Sequence, residues 1–521
     1  MPDPRRSLRL SYVRLATLLA VAGLGLGLSL AARAGWIAPP EGLSSDGVVV
    51  AGVMLIMAGF WILEGMPFAA TGLIPLVLFP LLGVSAGKDI AKAYVNSTVL
   101  LLMGGFFLAK GLERWRVPHR MARLVERWAS GSPLALLFGL MGVTAFLSMW
   151  LSNTATTLVM VTVAEAALAR AREVNDNSPR DVANFRIALL LGVAYAANMG
   201  GLATPVGTAP NLLLLSIRKE LDPTAPSIPF VEWMILTLPL VVVLVPLIAI
   251  LLARVLSPFS AALRLGKDDD APPAPLAKGG RRALGIFSLT AFLWIFRSDI
   301  DLGFVTLPGW AGLLGLGKKV DDATVAMLGV VLMFLVPAGE RAPDDKRGIL
   351  AKLSRWLSSE RVLSWETANQ IPWYLLLLFG GGLALADAFS SSGLSAWLGD
   401  QLMWLKGAPA WLIVLVLSLG MSLLTEVTSN TATTTLVLPV LFAAAGALEL
   451  PALLLMWPAT LCASAAFILP ISTPPNAIVA GAGPISPLEM ARVGAPLNFL
   501  AVFLITVLSL LWLVPRMGLV W

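Results

Sequence analysis

The string Ser-Asn-Thr-Ala-Thr-Thr occurs twice, at Ser152–Thr157 and at Ser429–Thr434, each time inside strongly apolar surroundings. Hydroxyls and amides are costly in hydrocarbon unless they bind something. Each copy is followed by a second polar segment, Thr204-Pro-Val-Gly-Thr-Ala-Pro-Asn211 and Leu469-Pro-Ile-Ser-Thr-Pro-Pro-Asn476. Proline removes an N–H and clashes with the preceding turn, so each segment should break its helix. Half-helix N-termini present bare N–H groups suited to an anion. Half-helix C-termini and unwound carbonyls suit a hard cation such as sodium. Ser, Thr and Asn side chains serve either ion. Two copies therefore offer two cation pockets flanking one anion pocket. No Arg or Lys lies in either hexamer or either break. A bound anion must then rely on helix ends and co-bound cations for positive charge, which is a coupling mechanism.

The surrounding chain is that of a membrane protein. Of 521 residues 57% are apolar and 13% charged, and the mean hydropathy is +0.83, against about 25% charged for a soluble globule. Spans are expected near 13–32, 47–65, 67–83, 98–113, 185–217, 232–254, 284–297, 324–338, 372–390, 453–482 and 495–515. The segments 133–168 and 408–441 carry the hexamers at their middles and are expected to enter and return as re-entrant hairpins. The alternative, two further crossings, would put whole basic loops outside. Eleven crossings plus two hairpins keep Arg114 to Arg127, Arg170 to Arg186, Arg254 to Arg282 and Arg341 to Arg361 on the same, inner side as the N-terminus. The formal charge of +6 is read as this loop bias, not as a nucleic-acid surface. The basic start (Arg5, Arg6, Arg9, Arg14) leading into Leu15–Ala32 is taken as an uncleaved first helix. A single cysteine, Cys462, excludes a disulfide framework.

A repeat extends beyond the hexamers. The interval from Gly104 to Gly381 equals that from Ser152 to Ser429. An odd number of crossings per repeat makes the halves inverted. The expected divisions are 1–46, with the tail and first helix, 47–132, and 133–254, which holds the first hexamer segment, the first break and the helix after it. A cytoplasmic linker, 255–283, follows; its stretch Gly266–Arg282 is charged and Pro-rich. Repeat 2 then covers 284–407 and 408–521, the latter with the second hexamer segment, the second break and the last helix. Pro343–Trp365 is expected to hold a short surface helix. Two roles are open to Glu426, just ahead of the second hexamer: tuning a cation site, or accepting nearby backbone N–H groups. Lys110 and Asp387 hold equivalent places at opposite faces and should not pair. His119, the one histidine, is expected in a solvated basic loop, and the Gly pairs at 104–105, 200–201 and 380–382 at close helix contacts.

At these residues the chain resembles the divalent anion:sodium symporter family, which carries di- and tricarboxylates or sulfate. The likeness covers nearly the whole chain and rests on the paired Ser-Asn-Thr signatures and their downstream Thr-x-Pro-Asn segments. It implies an all-α polytopic fold of 11 transmembrane helices and two re-entrant hairpins. It further implies a homodimer in which a mobile transport part, 133–254 of repeat 1 and 408–521 of repeat 2, moves as an elevator past a static scaffold. That scaffold is made of the first helix within 1–46 and the scaffold helices of 47–132 and 284–407. By this resemblance Ser148, Ser152, Asn153 and the backbone around Gly207 match a first sodium site. Thr425, Ser429, Asn430 and the backbone around Ser472 match a second. Asn153, Thr154, Thr208, Asn430, Thr431, Thr473 and Pro474 would face the substrate. Two departures stand out: Ala209 where proline is usual, and Ser472 where many relatives have a smaller residue.

The reading is a sodium-coupled symporter that imports small C4-dicarboxylates (succinate, malate, fumarate) across a cell membrane, the bacterial inner membrane, with two or more sodium ions as co-substrates. Sulfate or tricarboxylate symport and sodium-independent exchange are its rivals. No zinc-protease, nucleophilic-cysteine or nucleotide-loop motif is present in the sequence, so an enzyme is not expected.

Overall fold

The structure is a computed structural model that describes residues 4–519 except 130, 176–177, 267–274, 302, 304, 340–358 and 484. Most of the surface helix expected within 343–365, and part of the 255–283 linker, lie outside the described residues. At the edge of the first, Trp365–Ala368 form a single helical turn.

The main helices are α1 (Pro4–Arg33), α2 (Ser45–Ile62), α3 (Ser97–Arg114), α4 (Val117–Trp128), α5 (Pro133–Ser148), α6 (Asn153–Val174), α7 (Pro179–Gly200), α8 (Ala209–Leu221) and α9 (Phe230–Leu251). They continue with α10 (Lys278–Ile295), α11 (Asp322–Leu335), α12 (Trp373–Ser391), α13 (Ala410–Thr425), α14 (Asn430–Ala447), α15 (Ala452–Ala463), α16 (Pro474–Ala482) and α17 (Pro487–Leu508). Among the described residues, nine helical stretches are long and apolar enough to cross a membrane. Shorter apolar helices fill Phe68–Leu81, α5, α11, α13 and α15. The expected crossing at 453–482 is two helices separated by an unwound stretch, and that at 185–217 is likewise divided between α7 and α8.

Both hexamer segments interrupt their helix at the serine. Ser152 and Ser429 leave helical geometry for extended backbone, each capping the helix that follows through its own side chain. The packing is crossed. α5 and α6 lie on α7, and α13 and α14 lie on α15. In addition α6 packs on α16, and α14 packs on α8. One large buried core runs through these elements with α3, α10 and α11. A smaller core joins α1, α2 and the region around Phe79 to one side of α12. The parallel between halves reaches details that hydropathy does not show. α9 and α17 match in length, at 22 residues each, and each ends in a five-residue π-helical turn, Leu252–Leu256 and Ser509–Leu513.

Three expectations need correction. An all-helical chain was expected, yet Ile300–Asp301 and Thr306–Leu307 pair as a small antiparallel hairpin. Gly303, with φ +84°, supplies its turn, and its N–H is held by Asp301 Oδ1 at 2.8 Å. His119 is exposed as expected, but on α4 and not in a loop. Val117, Pro118, Ala122 and Glu126 form the buried face of that helix, while the cations that suggested a loop line its other side. Lys278, Arg281 and Arg282, assigned to the linker, already belong to α10.

The helices meet closely at glycine. A Cβ on Gly381 would stand 2.2 Å from the Gly72 carbonyl oxygen, and one on Gly200 2.3 Å from that of Ala145. Because both partners are backbone, neither can move aside cheaply. Gly381→Ala is therefore expected to cost about 1–3 kcal/mol and to lower the melting temperature of the solubilised protein. Gly142→Ala, with nothing within 4 Å of the new methyl, should not. Equal melting of the two variants would refute the close contact.

Candidate functional site

The hexamers build their turns in the same way. Ser152 Oγ accepts the Ala155 N–H at 3.2 Å, and Ser429 Oγ accepts that of Ala432 at 3.4 Å. The last threonines turn back on their own helices: Thr157 donates to the Asn153 carbonyl and Thr434 to the Asn430 carbonyl, both at 2.7 Å. These four groups build the turns. Thr433 Oγ1 pairs with Thr428 Oγ1 at 2.6 Å, while Thr156 Oγ1 is buried without a partner among the described residues. Asn153, Thr154, Asn430 and Thr431 lie at the first turn of a helix, with N–H groups that lack intrahelical partners.

In the first half, oxygens crowd together. Ser148 Oγ lies 2.6 Å from Asn153 Oδ1 and 2.8 Å from the Ala197 carbonyl oxygen, with one proton for two acceptors. A Cβ on Gly201 would come within 2.7 Å of Asn153 Oδ1 and 3.2 Å of the Gly207 carbonyl oxygen, so amide and carbonyl border the same small gap. Hydroxyl, amide and carbonyl oxygens, neutral and converging, are the donor set of a hard monovalent cation. Gly201 was expected only as a packing residue; here it also keeps this gap open.

In the second half the arrangement differs. Asn430 Oδ1 is buried and without a hydrogen-bond partner among the described residues, an acceptor still waiting for a cation or a donor. Thr425 instead donates within its helix, near the Met421 and Ser422 carbonyls at 3.1 and 2.9 Å. The Ser472 hydroxyl, the departure noted in the sequence, is turned into the break, 2.7 Å from the Leu469 carbonyl. Both hydroxyls are thus engaged with backbone carbonyls and not with Asn430.

Each break is stapled by the asparagine that closes its motif. Asn211 Nδ2 donates to the Gly201 and Thr204 carbonyls at 3.0 and 2.8 Å. Asn476 Nδ2 donates to those of Ala466 and Leu469 at 3.0 and 3.1 Å, and one constant offset relates all three residues of the first staple to those of the second. Trp233 Nε1 takes the Leu202 carbonyl at 2.9 Å. Glu426, whose role was open, accepts the Ile468 and Leu469 N–H groups at 2.9 Å each, one per carboxylate oxygen. Of its two possible roles the structure displays the backbone acceptor. Lys110 pairs with Glu113 on its own helix at 2.7 Å. Thr208 and Thr473 each sit at an N-cap and Ala209 opens α8, where proline's missing N–H would have been harmless anyway. Pro474 is exposed at the start of α16.

Sequence reasoning passed over Asn198, on α7. Its Nδ2 donates to Thr473 Oγ1 at 3.1 Å and to Asn476 Oδ1 at 3.4 Å, linking the first half to the second break. Tyr195 does the same through the Phe467 carbonyl at 3.0 Å. A lone amide in an otherwise apolar run was the available signal.

Broken helices meeting at paired polar turns inside an apolar bundle define a membrane transporter. The sodium:sulfate symporter transmembrane region, as a family, matches residues 24–519. A Staphylococcus saprophyticus protein described as sodium-dependent dicarboxylate transporter SdcS is 37% identical over 91% of this chain and 88% of its own. Its Staphylococcus aureus namesakes are about 35% identical, for instance over 89% of this chain and 86% of theirs. The chain belongs to the sodium:sulfate symporter family. Its fold is also like that of the Alcanivorax borkumensis YdaH transporter (TM-score 0.57, 16% identity, 97% of this chain and 98% of that one). Neisseria gonorrhoeae MtrF is a further fold neighbour (TM-score 0.52, 13% identity, 82% and 83%).

Buried carbonyls stripped of their donor cost about 1–3 kcal/mol each. Asn211→Leu and Asn476→Leu are therefore expected to lower the melting temperature, and Asn476→Leu more, because its amide also meets Ser472 Oγ at 2.9 Å. A smaller drop for Asn476→Leu in a thermal unfolding assay would contradict this ranking.

Proposed function

We propose that the protein is a sodium-coupled symporter that imports a small C4-dicarboxylate such as succinate, malate or fumarate. The observation that carries this reading is the neutral oxygen cluster of Ser148, Asn153, Ala197 and the neighbouring Gly207 carbonyl, repeated in part by the unpartnered oxygen of Asn430, the equivalent of Asn153 in the second half. Sodium would be the ion held there as co-substrate, with Ser152, Thr425, Ser429 and Ser472 completing the two sets. The freed helix N-termini at Asn153, Ala209, Asn430 and Pro474, with Thr154, Thr208, Thr431 and Thr473, would take the two carboxylates. Charge couples the ions: without sodium a dianion meets only partial helix charges. The relatives named for sodium-dependent dicarboxylate transport favour dicarboxylate over the sulfate in the family's name.

The proposed working cycle is an elevator. The two hexamer segments are re-entrant hairpins of an inverted repeat, and they move with α7, α8, α15, α16 and the helices that follow against the remaining scaffold, in a homodimer with its N-terminus in the cytoplasm. The crossed packing of α6 on α16 and α14 on α8 supports a single moving unit. The divisions at 46/47, 132/133, 254/255 and 407/408 remain its proposed borders, with the linker ending where α10 begins at Lys278.

In proteoliposomes, Asn153→Ala and Asn430→Ala should each abolish concentrative succinate uptake with expression intact. Replacing sodium by choline should stop uptake in the unaltered protein. Full uptake in choline would point to exchange instead. Competition of citrate, sulfate and glutamate against labelled succinate separates the substrate classes, and displacement by sulfate alone would transfer the assignment to sulfate.

A further inference from the structure

The hydrogen bonds around Asn198 determine where the Thr473 proton points. Asn476 Nδ2 faces the Ala466 and Leu469 carbonyls, which can only accept, so its amide orientation is fixed. Asn476 Oδ1 then faces Asn198 at 3.4 Å, and Asn198 must present its NH₂. The second hydrogen of that NH₂ meets Thr473 Oγ1 at 3.1 Å. Thr473 Oγ1 also accepts the Asn476 backbone N–H at 3.3 Å as the N-cap of α16. Both lone pairs of the hydroxyl are now used. Among the described residues its proton is donated to nothing, although Thr473 is buried at 3% exposure. The first half has no such device. Thr208 makes no side-chain cap, the Asn211 Oδ1 atom is unpartnered, and the offset that carries Asn211 onto Asn476 carries Asn198 onto Ala463, which has no amide to offer in return.

We infer that Asn198 is a positioning residue that holds the Thr473 hydroxyl as a pure donor aimed at one carboxylate of the substrate, making recognition unequal between the two ends of the anion. The inference rests on the proposed transport function and deepens it. A hydroxyl locked as donor favours an acceptor-only group such as carboxylate and rejects a donor placed at the same spot. Asn198 itself touches no substrate; it acts through Thr473.

The test is succinate uptake at saturating sodium, with KM and maximal rate measured separately for the full-length protein in proteoliposomes. Thr473→Val should raise KM about tenfold. Asn198→Ala should raise KM about three- to tenfold with the maximal rate within about twofold of the unaltered protein. In the Thr473→Val background, Asn198→Ala should add nothing, because the group it orients is gone. Thr473→Ser, which keeps the hydroxyl, should keep the sensitivity to Asn198→Ala, which should raise KM over the Thr473→Ser value by the same factor of about three- to tenfold; this pair replaces the valine background if that variant does not fold. Additive effects of the two substitutions, or an unchanged KM in Asn198→Ala, would overturn the inference. A Thr473→Val protein of unaltered KM would overturn it as well. None of these results touches the sodium-coupled transport reading, which is tested by Asn153→Ala, Asn430→Ala and the replacement of sodium by choline; only the place of Thr473 at a carboxylate would fall with the last of them.

Discussion

Backbone that leaves helical geometry inside an apolar bundle has nowhere to hydrogen-bond except to protein. Every peculiarity of the two breaks answers that constraint. Asn211 and Asn476 each gather two stranded carbonyls, Trp233 takes a third, and the Glu426 carboxylate gathers two stranded N–H groups. With those needs met by fixed side chains, the breaks are polar without any Arg or Lys in their motifs, because the polarity comes from the chain itself.

The two halves solve the same problem with different chemistry. The first relies on neutral groups throughout, with Met149 at the place where the second carries Glu426. The second binds a carboxylate between adjacent amides and receives an amide from the other half through Asn198. Identical strings at Ser152 and Ser429 therefore sit in unequal surroundings. Their Ser and final Thr positions build the turn in both copies.

Much of this was legible from residue order. The helix breaks at Ser152, Thr204 to Thr208, Ser429 and 470–473 follow from polar and proline residues that hydrocarbon does not tolerate in a continuous helix. What the order of residues could not convey was partnership across long separations. Asn198 meeting Thr473, or Ser148 meeting Ala197, depends on how α7 lies against its neighbours. Hydropathy also misled around Arg116 to Arg127, where charge density masked an amphipathic helix with a narrow apolar face. In 299–309 the short strand pair was hidden because two residues per strand leave no alternating pattern to read.

Tyr195 and Asn198 have a consequence for where the molecule can flex. Both are buried and both cross the seam between the first and second halves, so that seam is fastened by directional bonds as well as by packing. Compliance must be sought at the rim. Arg116 and Gly393, spaced as the two hexamers are, are the left-handed residues at which the chain swings out of α3 and α12 into short peripheral helices. A glycine turns there without strain while an arginine does so at a cost of about 1 kcal/mol. The two corners of the bundle are thus sprung differently, the one beside Arg116 under tension and the one beside Gly393 slack.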